Sequence, residues 1–243
     1  MRGLTVTYGS TLALEDISLD APAGASIAVL GPNGAGKSTL LQAIAGLVEV
    51  PRGAVTRDGN RGVAYLPQSL AVEPSFPATV ADIVEMGRWG DLGPLRRLGP
   101  EDRERVRQAI EEMGLAGVAE RRIGEVSGGE RRRALLAQVI AQDAALILLD
   151  EPFTDIDRPT ADSARALIRR WAAEGRTVMV ATHDLERAAT EYDLVLALNR
   201  RLVAFGPPSE VCTEECLRET FSGHVVRLGE SLFDTAHHHH GAS

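Results

Sequence analysis

Nine residues, Gly31-Pro32-Asn33-Gly34-Ala35-Gly36-Lys37-Ser38-Thr39, restrict what this chain can fold into more than any other stretch. They follow the apolar run Ser26-Ile27-Ala28-Val29-Leu30 and precede the helix-forming Leu40-Leu41-Gln42-Ala43-Ile44-Ala45. Strand, glycine-rich loop and helix in that order make a cradle for phosphate. Glycines let successive backbone N–H groups turn inward, and the helix N-terminus adds partial positive charge. Lys37 is spaced to reach β- and γ-phosphates, and the Ser38 hydroxyl to ligate Mg²⁺. Of the 26 basic residues, Lys37 is the only lysine. A chain that otherwise uses arginine keeps its one compact ammonium where a planar guanidinium fits badly between phosphate oxygens. The loop reads as a nucleotide site.

The 243 residues suffice for one α/β domain with a sizeable core. A net charge of -8 speaks against a broad basic face, so no nucleic-acid partner is expected. No signal peptide is evident, and no apolar run approaches the roughly 18 residues of a membrane span. The expectation is a soluble chain that can sit against a membrane protein. Cys212 and Cys216 give no disulfide framework, as suits a reducing cytosol.

Read in order, Leu4–Thr7 alternates like a short strand and ends at Tyr8-Gly9, an abrupt start for a first strand that should pair in a sheet. Ile17–Asp20 is strand-like, as are Ala54–Thr56 and Val63–Leu66 around an Asp58-Gly59-Asn60 turn; Pro67-Gln68 then closes the second of these. Residues 69–125 change character. Helical patterns at Val80–Met86 and Glu101–Met113 flank the Gly/Pro/Arg-rich Gly87–Pro100, predicting a helical insertion that, with helix Glu130–Gln142, makes a subdomain over about 69–142. The α/β pattern resumes with buried strand Leu146–Leu149, helix Thr160–Ala173 stopped by Gly175, strand Thr177–Ala181 and helix Leu185–Ala189. A hairpin of Leu194–Leu198 and Leu202–Phe205, a short helix near Glu214–Thr220 and a weakly structured tail over about 229–243 complete the chain.

Three further stretches carry chemistry. Leu146–Asp150 followed by Glu151 puts two carboxylates at the tip of a buried strand. Burying charge there is costly without a partner, and a Mg²⁺–nucleotide supplies one. Asp150 is then the candidate Mg²⁺ ligand and Glu151 the group that orients or deprotonates water. His183, after strand Thr177–Ala181, falls at a neighbouring strand tip as a γ-phosphate contact. Val126-Ser127-Gly128-Gly129-Glu130 has capping-box spacing and starts a helix, yet a glycine-rich helix N-terminus is also a second phosphate site. One chain needs two such sites only if each completes the other's in a dimer. The Arg131-Arg132-Arg133 run reads as a solvated helix face.

With these stretches in this order, the sequence resembles the ATP-binding-cassette ATPases, the energy-coupling subunits of membrane transporters, over nearly its whole length. The resemblance implies an α/β P-loop core with the helical insertion and a small antiparallel N-terminal β portion. It makes Tyr8 the aromatic that stacks on adenine, Gly31–Thr39 the Walker A loop, and Gln68 the glutamine that senses Mg²⁺ and the permease. Ser127, Gly128 and Gly129 become the family signature, with Val126 and Glu130 replacing its usual Leu and Gln. Leu146–Asp150 becomes Walker B, Glu151 the catalytic glutamate, Thr154–Asp157 a dimer-contacting loop and His183 the switch histidine. The implied cofactors are ATP and Mg²⁺. The implied assembly is an ATP-dependent head-to-tail homodimer docked through residues 69–125 on integral-membrane permease subunits, at the cytoplasmic membrane face. An extracytoplasmic binding protein is an indirect partner.

Within the family, Ser75–Arg88 resembles the segment after the glutamine loop in zinc- and manganese-uptake ATPases, and iron-chelate importers carry related segments. The His237–His240 tract could buffer metal or be an added tag. Cys212 and Cys216, four apart on an expected helix face, could join His224 in a metal site or be small apolar residues. Cassette proteins of translation and repair carry tandem cassettes or a long coiled-coil insertion, and this chain has neither. A GTPase needs an Asn-Lys-x-Asp motif, which a chain with its only lysine at Lys37 cannot contain. An exporter ATPase is the nearest rival.

Overall fold

The computed structural model describes residues 1–243 except 58–61, 69–76, 93–97, 155, 223–224, 229–230 and 235–243. Strands β1 (Arg2–Tyr8) and β2 (Thr11–Ile17) form a hairpin, then β3 (Ser26–Leu30) leads through the glycine-rich loop into α1 (Lys37–Ala45). Next come β4 (Arg52–Ala54), β5 (Val63–Leu66) and three helices, α2 (Val80–Leu92), α3 (Pro100–Glu112) and α4 (Gly128–Gln142). The chain returns through β6 (Leu146–Asp150), α5 (Arg158–Ala173), β7 (Thr177–Thr182), α6 (Leu185–Glu191), β8 (Leu194–Asn199) and β9 (Arg201–Gly206). It finishes with α7 (Pro208–Val211), α8 (Glu214–Thr220), β10 (Val225–Leu228) and β11 (Ser231–Asp234).

The main sheet runs β5-β6-β7-β3-β8-β9, parallel throughout except for the antiparallel β8–β9 pair. Its central strands are apolar on both faces because both faces are covered. Ala28, Leu30, Ile147, Leu149, Val178 and Val180 pack with residues of α2 to α5, including the fully buried Trp171. The alternate residues Ile27, Val29, Leu148, Met179 and Ala181 pack with α1 and with Leu4, Val6, Leu14 and Ile17 of the hairpin. The period of two along each strand therefore sends side chains into two cores. On α5 the buried set Ala161, Ala164, Leu167, Ile168 and Trp171 follows helical spacing, and Asp157 caps its start by accepting from Thr160 N.

The first strand, β1, spans Arg2–Tyr8 despite the abrupt start of the chain. β1 pairs with β2 on one edge and β4 on the other, in a three-stranded antiparallel sheet. The sequence places the second strand too late: β2 ends at Ile17, where Asp16 turns to φ 52 and the chain leaves the sheet. Likewise Val55 and Thr56 lie outside β4. Gly87 does not end the second helix but sits inside it, because a Cβ there would come within 2.5 Å of Gln138 O on α4. Glycine lets the two helices approach closely. The expected 229–243 tail includes β11, which pairs with β10; the histidine tract and the Asp58-Gly59-Asn60 turn lie outside the described residues.

Two polar clusters tie α2 and α3 to the rest. Arg88 of α2 is buried, donating from Nε to Asp102 at 3.0 Å and from Nη1 to Ala141 O at 3.0 Å. Asp143, at φ 51 just past α4, accepts from Arg105 of α3 at 2.5 Å and pairs with Arg176 at 2.7 Å. Among the described residues no helix is long and apolar enough to cross a membrane.

Candidate active site

A cleft of about 370 Å³ opens at the carboxyl ends of β3 and β6. Its walls include Tyr8, Asn33 through Thr39, Gln68, Asp150 and Glu151, so most residues singled out from sequence converge there. Gly36 caps α1 at φ 94, and a Cβ on it would meet Ala13 O and Leu14 at 2.6 Å, leaving glycine as the residue that fits. Lys37 is buried, and its Nζ donates to Gly31 O at 2.7 Å and Pro32 O at 3.2 Å. The ammonium thus rests on the loop's own carbonyls, inside the ring of amides.

Asp150 is 1% exposed at the end of β6. Burial and the neighbouring Glu151 charge push its carboxyl above the ordinary value, while Ser38 hydrogen-bonds to it. Tyr65 O–H, itself reached by Gln42, points at its Oδ2 at 3.4 Å. Oδ1 is buried with no partner among the described residues. An orphaned carboxylate oxygen beside a serine hydroxyl is a hard-oxygen donor pair that fits Mg²⁺, which prefers carboxylate, hydroxyl and phosphate ligands.

Glu151 is 9% exposed with φ 47, a left-handed backbone that costs a non-glycine residue about 1–3 kcal/mol. Its N–H donates to Ala181 O at 3.1 Å, tying the turn to β7. Its Oε2 lies 2.9 Å from His183 Nδ1 and accepts from Thr154 Oγ1 at 3.3 Å. Burial opposes its ionisation, but these hydrogen bonds and the His183 and Lys37 charges outweigh it and leave the carboxyl below its usual range. The Glu151 contact in turn raises the His183 imidazole above its ordinary value, against partial burial.

Ser127, Gly128 and Gly129 do not line this cleft. They form the exposed start of α4, where the capping box reads as expected: Glu130 N donates to Ser127 Oγ at 3.2 Å, and Glu130 Oε2 accepts from Ser127 N at 2.8 Å. Gly129 faces Asp157 at the start of α5; Asp155 lies outside the described residues.

Sequence reasoning missed some of the walls. Thr11, Leu12, Ala13 and Arg200 also line the cleft. The hairpin β1–β2 folds over the loop, and Arg200 N donates to Ala35 O at 2.8 Å; no local motif announces either approach. The solvated-face reading of the arginine run fails at its middle member. Arg132 is buried, and Arg133 donates to Thr160. The cysteines do not share a helix: Cys212 follows α7 and Cys216 lies in α8 after the Thr213 cap. Burial raises the Cys212 thiol to about 11, as it does in direction for Cys216, and among the described residues no cluster suits a metal.

A parallel sheet whose central strand runs into a glycine-rich loop, with paired carboxylates on the next strand but one, defines a P-loop nucleoside triphosphatase. The family described as ABC transporter matches residues 14–154, and the chain belongs to that family. It is accordingly an ATPase working with ATP and Mg²⁺. The zinc transport system ATP-binding protein TroB of Treponema pallidum (strain Nichols) is 41% identical over 236 residues, covering 95% of this chain and 88% of that protein. The manganese transport system ATP-binding protein MntB of Bacillus subtilis (strain 168) is 37% identical, over 98% and 97% of the two chains. Among solved structures, a chain of an ABC transporter in an inward-facing conformation superposes with a TM-score of 0.79 at 28% identity, covering 96% of this chain and 93% of that one.

Proposed function

We propose that this chain is the ATP-hydrolysing, energy-coupling subunit of a membrane importer whose cargo is a divalent transition metal, zinc ahead of manganese. The observation that carries the hydrolytic site is the Asp150–Glu151 tip: one carboxylate has a buried oxygen, beside Ser38, unpartnered among the described residues, and the other is held by His183. Here the backbone N–H groups of Gly31, Asn33, Gly34, Ala35, Gly36 and Thr39 surround the phosphates, Pro32, which has no N–H, shapes the turn, and Tyr8 stacks on adenine. Lys37 exchanges the carbonyls of Gly31 and Pro32 for β- and γ-phosphate oxygens. Ser38, Asp150 and Gln68 would hold Mg²⁺, which would supply charge neutralisation at the phosphate oxygens. Glu151 accepts the proton of the attacking water, its carboxylate oriented by His183 and Thr154. His183 holds Glu151 on one side and reaches the γ-phosphate on the other.

Ser127, Gly128 and Gly129 serve the nucleotide of a second copy, so two chains close head to tail around two ATP molecules. ATP favours the closed state because only that state supplies both faces of each site. The insertion over residues 69–125 carries the docking groove for integral-membrane permease subunits, which holds the ATPase peripherally at the cytoplasmic membrane face. Support for the metal cargo comes from the near-full-length likeness to the zinc- and manganese-system proteins. Selection of the ion is assigned to an extracytoplasmic binding protein and the permease, since zinc needs a tetrahedral His, Cys or carboxylate array. The deciding experiment is ATPase activity of the reconstituted complex with metal-loaded against apo binding protein. Stimulation by zinc or manganese is expected; stimulation by an iron chelate or organic solute alone would overturn the cargo and leave the ATPase assignment standing.

A further inference from the structure

Arg132 sits on the second turn of α4, and its buried guanidinium donates to carbonyls of two separate segments. Nη1 reaches Pro67 O at 2.9 Å and Gln68 O at 3.3 Å, where the chain leaves β5. Nη2 reaches Glu151 O at 2.9 Å and Asp150 O at 3.3 Å, and Nε reaches Pro152 O at 3.4 Å. A planar fork with five donors can serve both segments at once; a lysine ammonium on the same stem could not span them. The contact therefore asks for arginine and not merely for a positive charge.

Its position matters because of what it grips. Glu151 is held in a left-handed backbone that a side-chain-bearing residue keeps only when its surroundings over-determine it. Ala181 fixes its N–H from β7, and Arg132 fixes its carbonyl from α4. The same guanidinium ties down the carbonyl of Gln68, and the same helix begins with Ser127 and Gly128. We infer that Arg132 is a positioning residue for hydrolysis, holding Glu151 and the Gln68 segment in fixed relation to the start of α4. The inference rests on the roles proposed above for Glu151 and Gln68. A shift of α4 relative to the sheet then moves the glutamine segment and the carboxylate together, through one buried side chain.

The test compares full-length Arg132→Ala, Arg132→Gln and Arg132→Lys, alone and combined with Glu151→Gln. A misplacement near 1 Å of a reacting group costs on the order of 10²-fold. Arg132→Ala is therefore expected to lower kcat by about that factor while the ATP dissociation constant changes by less than about threefold, because the loop around Lys37 is untouched. Arg132→Lys and Arg132→Gln, each able to reach one segment, should recover part of kcat. In the Glu151→Gln background, Arg132→Gln should lower the residual rate by less than about threefold, since the group it positions is already disabled. A kcat within twofold of wild type in Arg132→Gln, or a full additional loss in the Glu151→Gln background, would overturn the proposal. Should Arg132→Ala fail to fold, the Gln and Lys variants carry the same comparison. Wild-type turnover in Glu151→Gln alone would instead remove the underlying reading of Glu151.

Discussion

Replacing Asp143 by Asn probes how α3 and α4 are tied to the sheet. Asparagine keeps the shape and tolerates the left-handed backbone at φ 51, so the change removes charge at little conformational cost. Two ion pairs are lost, to Arg105 at 2.5 Å and to Arg176 at 2.7 Å, both part-buried. Each is worth about 1 kcal/mol, near the top of the range for incompletely buried pairs. The variant should lose about 2 kcal/mol, or about 4–8 °C in Tm for a domain of this size. Burial works against ionisation of Asp143, but the hydrogen bonds and charges of Arg105 and Arg176 prevail and hold its carboxyl below 3.8. A group with a depressed folded pKa contributes stability that is present above its unfolded pKa and lost as pH falls through the folded one. Urea denaturation of both proteins should show the full gap at pH 7, closing as pH drops below 3.8. Equal midpoints at pH 7, or a gap of the same size at every pH, would refute this account.

Glu151→Gln should bind ATP with little change yet lose 10²–10³ in kcat, roughly 3–4 kcal/mol, and accumulate as an ATP-bound dimer on size exclusion; undiminished turnover would remove Glu151 from the chemistry. Lys37→Arg keeps the charge but not the compact ammonium that fits over Gly31 O and Pro32 O, so nucleotide titration and ATPase rate should both collapse. Cysteines introduced at Ser38 and Gly128 should crosslink different chains in the presence of ATP, and a bond within one chain would refute the head-to-tail arrangement.

Local patterns were readable where one short stretch decides the outcome. The loop at Gly31–Thr39, strand Val63–Leu66, the Ser127–Glu130 capping box and helix Glu214–Thr220 are where their residues say they are. What the sequence hid depends on approaches between distant segments. Gly87 looks like a helix stop until α4 is laid against it, and three arginines look solvated until the strand ends close over the middle one. Arg200 reaches the cleft only because β8 lies beside β3. The walls contributed by Thr11–Ala13 need the hairpin folded over the loop. Ser127 stands apart from the cleft, as the reading of a second, separate phosphate site expects.

The lone lysine has a practical consequence. A lysine-specific protease meets one susceptible bond, Lys37–Ser38, in the first turn of α1 with the side chain buried. Cleavage therefore requires that this turn open, and yields two fragments, 1–37 and 38–243, that a gel resolves directly. Under conditions where reclosing outpaces the cut, the rate of that single event tracks the free energy of opening the phosphate loop alone. Nicking with and without nucleotide then becomes a clock for the stability of one loop within an intact protein, with no label and no engineered site.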